Sequence, residues 1–175
     1  MHKKIITVSR QFGSGGRTIA KTLSEKLGIA YYDKELVKKV ALETGFAPEF
    51  IEEHGEFAQS KSKFAFSLGL QRTPGVMNGL SMSEFLWAMQ REVILSLAEQ
   101  EPCIIVGRCA DYILQDRDDC LHTFIHADIN YRADRVVRLY GESEQEPIKR
   151  VEDKDAKRKV NYEYFTQREW GDSEN

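Results

Sequence analysis

The segment with the plainest chemical capacity is Val8-Ser9-Arg10-Gln11-Phe12-Gly13-Ser14-Gly15-Gly16-Arg17-Thr18. Glycines let backbone amides turn inward and approach an anion closely, and a helix starting there adds its own N–H groups and the positive end of its dipole. Arg17 supplies a cation, and the Thr18 hydroxyl can ligate Mg²⁺. Gly13, Ser14, Gly15, Gly16, Arg17 and Thr18 are therefore candidate phosphate-binding residues. The segment departs from the common pattern Gly-x-x-x-x-Gly-Lys-[Ser/Thr], with Gln11 at the first glycine and Arg17 at the lysine. An arginine keeps the charge but presents a planar fork, so the geometry around the phosphates must differ. An ordinary strand–turn–helix connection is the plain alternative.

Such a loop has meaning only between a strand and a helix. Ile5 to Val8 is a β-rich run, and Thr18 to Leu27 places Ile19, Ala20, Leu23 and Leu27 on one helical face, ended by Gly28. Ile29 to Tyr32 reads as a second strand. Asp33 can cap a helix over Lys34 to Thr44, with Gly45 at its end, and Pro48 suits the first turn of a short helix through about His54. Residues 55–80 have no clean period, and read as a surface loop or a mobile insertion over a binding site. Ser81 and Glu84 form a capping box for a helix carrying Phe85, Leu86, Met89, Val93, Leu97 and Ala98. Cys103 to Val106 is wholly apolar, as in a strand buried on both faces. A short helix over Ala110–Gln115, a strand over Leu121–Ala127 and a helix over Tyr131–Tyr140 follow. Strands alternating with helices predict an α/β fold with a mainly parallel sheet. Residues 142–159 are the most charged stretch, with 12 of 18 side chains ionic, and usually such a run is a solvated helix face. The aromatic residues Tyr162, Tyr164, Phe165 and Trp170 that follow are more than such a face needs.

Composition removes several classes. The 175 residues fit one domain over 1–175, long enough to bury a core without a disulfide or metal staple. A net charge of −3 argues against a dedicated duplex-DNA binder. Cys103, Cys109 and Cys120 give neither a disulfide framework nor a zinc pattern, and read as reduced thiols of a cytoplasmic protein. The four histidines show no metal spacing; His122 and His126 flank a strand and read as structural. No apolar run is long enough to span a bilayer.

The stretch Ile5–Ala20, the segment Ile104-Ile105-Val106-Gly107-Arg108-Cys109-Ala110-Asp111-Tyr112, and Phe124-Ile125-His126-Ala127-Asp128 with Arg132 and Arg135 resemble the cytidylate kinase-like family of P-loop proteins. The closing Trp170-Gly171-Asp172 adds to the likeness. The resemblance implies a three-layer P-loop kinase fold, with an acceptor-binding region over about 33–80 and a helical lid over about 132–165. It implies transfer of the γ-phosphoryl group of Mg-ATP to a nucleoside monophosphate, cytidylate first among them. Carried across, Asp33, Lys39, Arg108 and Asp111 fall on the acceptor side, and Arg150, Asp155 and Arg158 in the lid. Arg17, Arg132, Arg135 and Arg158 become the catalytic cations, with Thr18 on Mg²⁺. Phosphoryl transfer asks for this inventory independently: aligned phosphates, a metal bridging donor oxygens, and cations spreading transition-state charge.

Each residue keeps a plainer alternative: Asp33 as an N-cap, Lys39 as a solvated helix lysine, Arg108 as a surface ion pair, Arg150 to Arg158 as a solvated helix. Lys39 stands where cytidylate kinases place an arginine, which loosens the expectation of a cytidylate acceptor. Four strands are visible where the family fold has five; either the sheet edge is exposed and would suit a homo-oligomer, or the sequence is part of a longer chain that carries the fifth strand. The rival readings are a kinase with a non-nucleotide acceptor, a nucleotide-binding regulatory module without turnover, and a single-stranded nucleic-acid binder built on Arg10, Arg17 and residues 149–159.

Overall fold

The computed structural model describes residues 4–49 and 81–172. Expectations placed on 55–80, and on the helix from Pro48 beyond residue 49, lie outside the described residues. The elements are β1 (Ile5–Arg10), α1 (Gly16–Leu27), β2 (Ala30–Tyr32), α2 (Lys34–Thr44), α3 (Met82–Gln100), β3 (Cys103–Val106), α4 (Ala110–Ile113), β4 (Cys120–Ile125), α5 (Ile129–Tyr140) and α6 (Pro147–Thr166). Among the described residues the sheet has four strands, all parallel, in the order β2-β3-β1-β4.

β1 lies in the sheet interior, paired from Ile5 with Cys103 on one side and Cys120 on the other. Its side chains alternate between two apolar layers. Ile5 joins Leu36, Val40, Leu86, Ile94, Leu97 and Ile105 beneath α2 and α3. Ile6 and Val8 join Ala20, Ile104 and Val106 beneath α1. Helices therefore cover both faces, which is why β1 and β3 are buried throughout. Because every strand is parallel, the loops after β1, β2 and β3 meet along one edge, where open α/β sheets place their ligands.

The caps follow local chemistry. The Ser81 hydroxyl accepts from Glu84 N–H at 3.3 Å while the Glu84 carboxylate accepts from Ser81 N–H at 2.8 Å. This bonding holds the Glu84 carboxyl below its ordinary value. Asp128 caps α5 through Asn130 and Tyr131 N–H, and Glu146 caps α6 through Lys149 N–H at 3.0 Å. The charged tail is a helix, as its composition implies, but one with a buried seam of Val151, Asn161, Tyr162 and Thr166. Its aromatic end is explained by packing: Phe165 stacks on Trp87 of α3 at 4.6 Å, and Trp170 meets Phe124 of β4 edge-on at 5.2 Å. His122 is structural, its Nδ1 lying 2.8 Å from the Thr7 hydroxyl. The three thiols are free and buried. Burial pushes the Cys103 thiol up to about 12, aided by the nearby Glu101 charge. No helix among the described residues is long and apolar enough to cross a membrane.

Candidate active site

The loop between β1 and α1 forms an anion cradle. Gly13 and Gly15 adopt left-handed backbone at φ 82° and 93°, a region glycine enters without penalty. A side chain at Gly13 would also meet the Arg132 carbonyl at 2.6 Å, so this glycine allows α5 to pack against the loop. α1 begins at Gly16 behind the N-cap Gly15, with no side-chain cap on its first amides. An uncapped helix start behind a glycine turn is a ready site for phosphate. Gln11, the departure from the usual pattern, ties the loop to β4, its N–H donating to Ile125 and its amide oxygen accepting from Ala127.

A cleft of about 440 Å³, open to solvent, lies over this cradle. Arg10, Arg17, Thr18, Arg135 and Arg158 face it from four elements, β1, α1, α5 and α6. Arg135 Nη2 donates to the Thr18 hydroxyl at 2.9 Å. Arg17 makes a two-point pair with Asp33 at the end of β2, Nε to one oxygen at 2.8 Å and Nη2 to the other at 3.1 Å. Asp33 makes no capping bond to α2, so its carboxylate serves the loop cation and not the helix. An anion binding at Arg17 would have to displace Asp33 from this pair.

Asp155 of α6 accepts from the Phe12 N–H at 2.7 Å and from Arg132 Nη1 at 2.5 Å. Arg132 also donates from Nε to the Ala127 carbonyl and from Nη1 to the Phe12 carbonyl. Arg132 and Asp155 thus form a buried clamp that docks α6 and α5 onto the phosphate loop. Arg158 is held against this clamp, its Nη1 donating to the Arg10 carbonyl at 3.3 Å and its guanidinium 5.6 Å above the Phe12 ring.

Beyond β3 the chain takes three successive left-handed residues, Gly107 (φ 70°), Arg108 (φ 60°) and Cys109 (φ 53°). Strain of this kind at non-glycine positions costs roughly 1–3 kcal/mol per residue and concentrates at functional sites. The turn aims Arg108 along the edge of the sheet, where its Nη1 donates to Gln90 of α3 at 3.1 Å. Asp111 on α4 accepts from the Tyr162 hydroxyl at 2.8 Å and from Ser9 at 3.4 Å. Burial, then the Asp111 charge, holds the Tyr162 hydroxyl far above its ordinary range, so it stays a donor. A second cavity of about 310 Å³ opens here, lined by Arg10, Arg108, Arg158, Asn161 and Trp170 among others. Arg10 and Arg158 line both cavities, so the two adjoin.

The structure therefore brings together the loop residues 13–18, Arg135, Arg158, Asp33 and Arg108, with Asp111 beside them. It places three expected site residues elsewhere. Lys39 lies 5.6 Å over the Tyr32 ring and lines neither cavity. Arg150 donates to the Gly141 carbonyl at 3.0 Å and fixes the turn before α6. Arg132 is buried with its guanidinium committed to the clamp. Arg10, Asn161 and Trp170 are added to the cavity linings. Arg10 borders the loop in sequence, whereas Asn161 carries no sequence signal, because its place depends on how α6 docks.

No protein of curated function matches the sequence. A crystal structure of an uncharacterized protein from Eubacterium ventriosum is similar at 28% identity, over 97% of this chain and 82% of that one, with a TM-score of 0.68. Shikimate kinase from Bacteroides thetaiotaomicron shares the fold at 17% identity, over 91% and 81% of the two chains (TM-score 0.53). Shikimate kinase from Acinetobacter baumannii, solved with shikimate, does so at 14% identity, over 92% and 79% (TM-score 0.50). The family model of the cytidylate kinase-like family matches residues 5–175, and with the parallel sheet, glycine cradle and converging arginines in place, this chain belongs to that family of P-loop kinases.

Proposed function

We propose that the protein moves the γ-phosphoryl group of Mg-ATP to a small anionic acceptor, with a nucleoside monophosphate such as cytidylate as the leading acceptor. The observation that carries this reading is the convergence of Arg10, Arg17, Arg135 and Arg158 on a cleft floored by uncapped helix amides. Loop amides bind the donor phosphates, and Arg135 with Arg158 spreads the charge that develops on the transferring group. Mg²⁺ arriving with ATP would neutralise charge on the donor phosphates, and the Thr18 hydroxyl, which here accepts from Arg135 at 2.9 Å, is the side chain in the cradle that would hold it. The adjoining cavity under Arg108 holds the acceptor next to the donor site, and α6 closes the wall that excludes competing water.

A second reading has one observation in its favour. Asp33 places a carboxylate next to the loop cation. A hydroxyl acceptor must lose a proton during transfer and gains from such a base, whereas a phosphate acceptor does not. The second reading is therefore a kinase of hydroxylated small molecules. Its shape is suggested by the shikimate kinases that share the fold.

The test mixes the protein with Mg-ATP and, separately, CMP, dCMP, UMP, AMP, GMP, dTMP and shikimate. Phosphorylated products are separated by chromatography, with Arg17→Ala as control. Transfer to a monophosphate that fails in the control supports the leading reading, and transfer to shikimate alone supports the second. No transfer to any of them, with ATP still raising the Tm, would leave a nucleotide-binding module.

A further inference from the structure

Asn161 sits on the buried seam of α6, only 6% exposed. It lines the second cavity with Arg10, Arg108, Arg158 and Trp170. Its side-chain oxygen is buried and has no hydrogen-bond partner among the described residues. A buried acceptor left in this condition costs roughly what a lost hydrogen bond costs, and native proteins rarely carry one without a use. The same cavity is otherwise strongly cationic, with three arginine side chains on its wall. These two features ask for different parts of one ligand: an anion for the arginines and a hydrogen-bond donor for the amide oxygen.

We infer that Asn161 is the specificity-determining residue of the acceptor cavity proposed above. The ligand class is a phosphomonoester whose body carries an amino or hydroxyl donor, the phosphate held by the arginines and the donor read by Asn161 Oδ1. This rests on the phosphotransferase reading, and it deepens that reading by naming a recognition group that the family resemblance did not supply. The alternative is that Asn161 is a structural residue of α6. The two differ in sign. A structural asparagine stabilises the fold, so removing it lowers the Tm. An acceptor that waits for a ligand destabilises the empty protein, so an apolar replacement keeps or raises the Tm while binding is lost.

The experiment measures equilibrium binding of CMP and of inorganic phosphate to the full chain by calorimetry, with melting curves alongside. It uses wild type, Asn161→Leu, which removes the acceptor with side-chain bulk retained, and Asn161→Ala, which removes it without strain from a larger group. Wild type is expected to bind CMP at least about tenfold more tightly than inorganic phosphate, the size of one buried hydrogen bond. Both variants should bind inorganic phosphate as wild type does, lose that preference for CMP, and melt no lower than wild type. Unchanged CMP affinity in the variants, or no wild-type preference for CMP over inorganic phosphate, overturns the inference. So does a lowered Tm in both variants with inorganic phosphate binding lost as well. Wild-type turnover of CMP by both variants overturns it while leaving the transferase intact. Asn161-dependent CMP binding without transfer to any acceptor overturns the transferase and keeps the pocket.

Discussion

Asp155 offers the sharpest separation between a residue that acts on phosphate and one that builds the site. Its carboxylate receives Phe12 N–H and the Arg132 guanidinium, and the two side chains are 14% and 8% exposed. Asp155→Ala removes both bonds and strands a buried arginine. Breaking a buried pair from one side costs about 3–5 kcal/mol, because the surviving charge keeps its desolvation penalty. For a chain of this size each kcal/mol is about 2–4 °C in Tm, so the expected fall is roughly 6–20 °C by calorimetry. Asp155→Asn keeps an acceptor for Phe12 and should fall between the variant and wild type. Adding Arg132→Met to Asp155→Ala removes the stranded charge, so the double variant should be more stable than the sum of the two single losses predicts. The reasoning is refuted if Asp155→Ala melts within about 2 °C of wild type, as a surface substitution would. That outcome would return Asp155 to the role of an exposed lid residue.

Three further outcomes follow from the same geometry. Asp33→Asn frees Arg17 from a pair that is partly solvent-screened, worth about 0.5–1 kcal/mol, so ATP should bind about two- to fivefold more tightly by calorimetry; weaker binding would contradict the exchange of Asp33 for phosphate. Gly107→Ala puts a side chain at φ 70° directly against the Arg10 guanidinium, and should lower stability by about 1–3 kcal/mol in urea unfolding; an unchanged midpoint would count against that packing. The folded protein should show no reaction with a disulfide reagent at pH 8, because all three thiols are buried and Cys103 ionises only near 12, and three equivalents after denaturation; reaction in the folded state would contradict their burial.

Much of the fold was legible because its signals are local. The apolar runs of β1 and β3, the Ser81–Glu84 capping box and the glycines at 28 and 45 declare themselves through periodicity and backbone chemistry alone. The phosphate loop was legible for the same reason: its glycines, cation and hydroxyl are contiguous, and their strand–helix context is adjacent in the chain. The site's outer wall was not. Arg132, Asp155 and Arg158 looked alike as charged helix residues, and a charge in sequence does not reveal its partner. Only the docking of α6 across the loop turned Arg132 and Asp155 into a clamp and left Arg158 on the cleft. The position of Lys39 was not legible because a helix face is chosen by packing, and here α2 turns that lysine toward Tyr32. Asn161 was invisible for the complementary reason. Sequence by itself determined which segments are strands, helices and anion-binding turn, since those depend on neighbours within a few residues. Tertiary structure alone decided which of many similar polar side chains meet in one cavity, since that depends on contacts more than a hundred residues apart, such as Phe12 with Asp155.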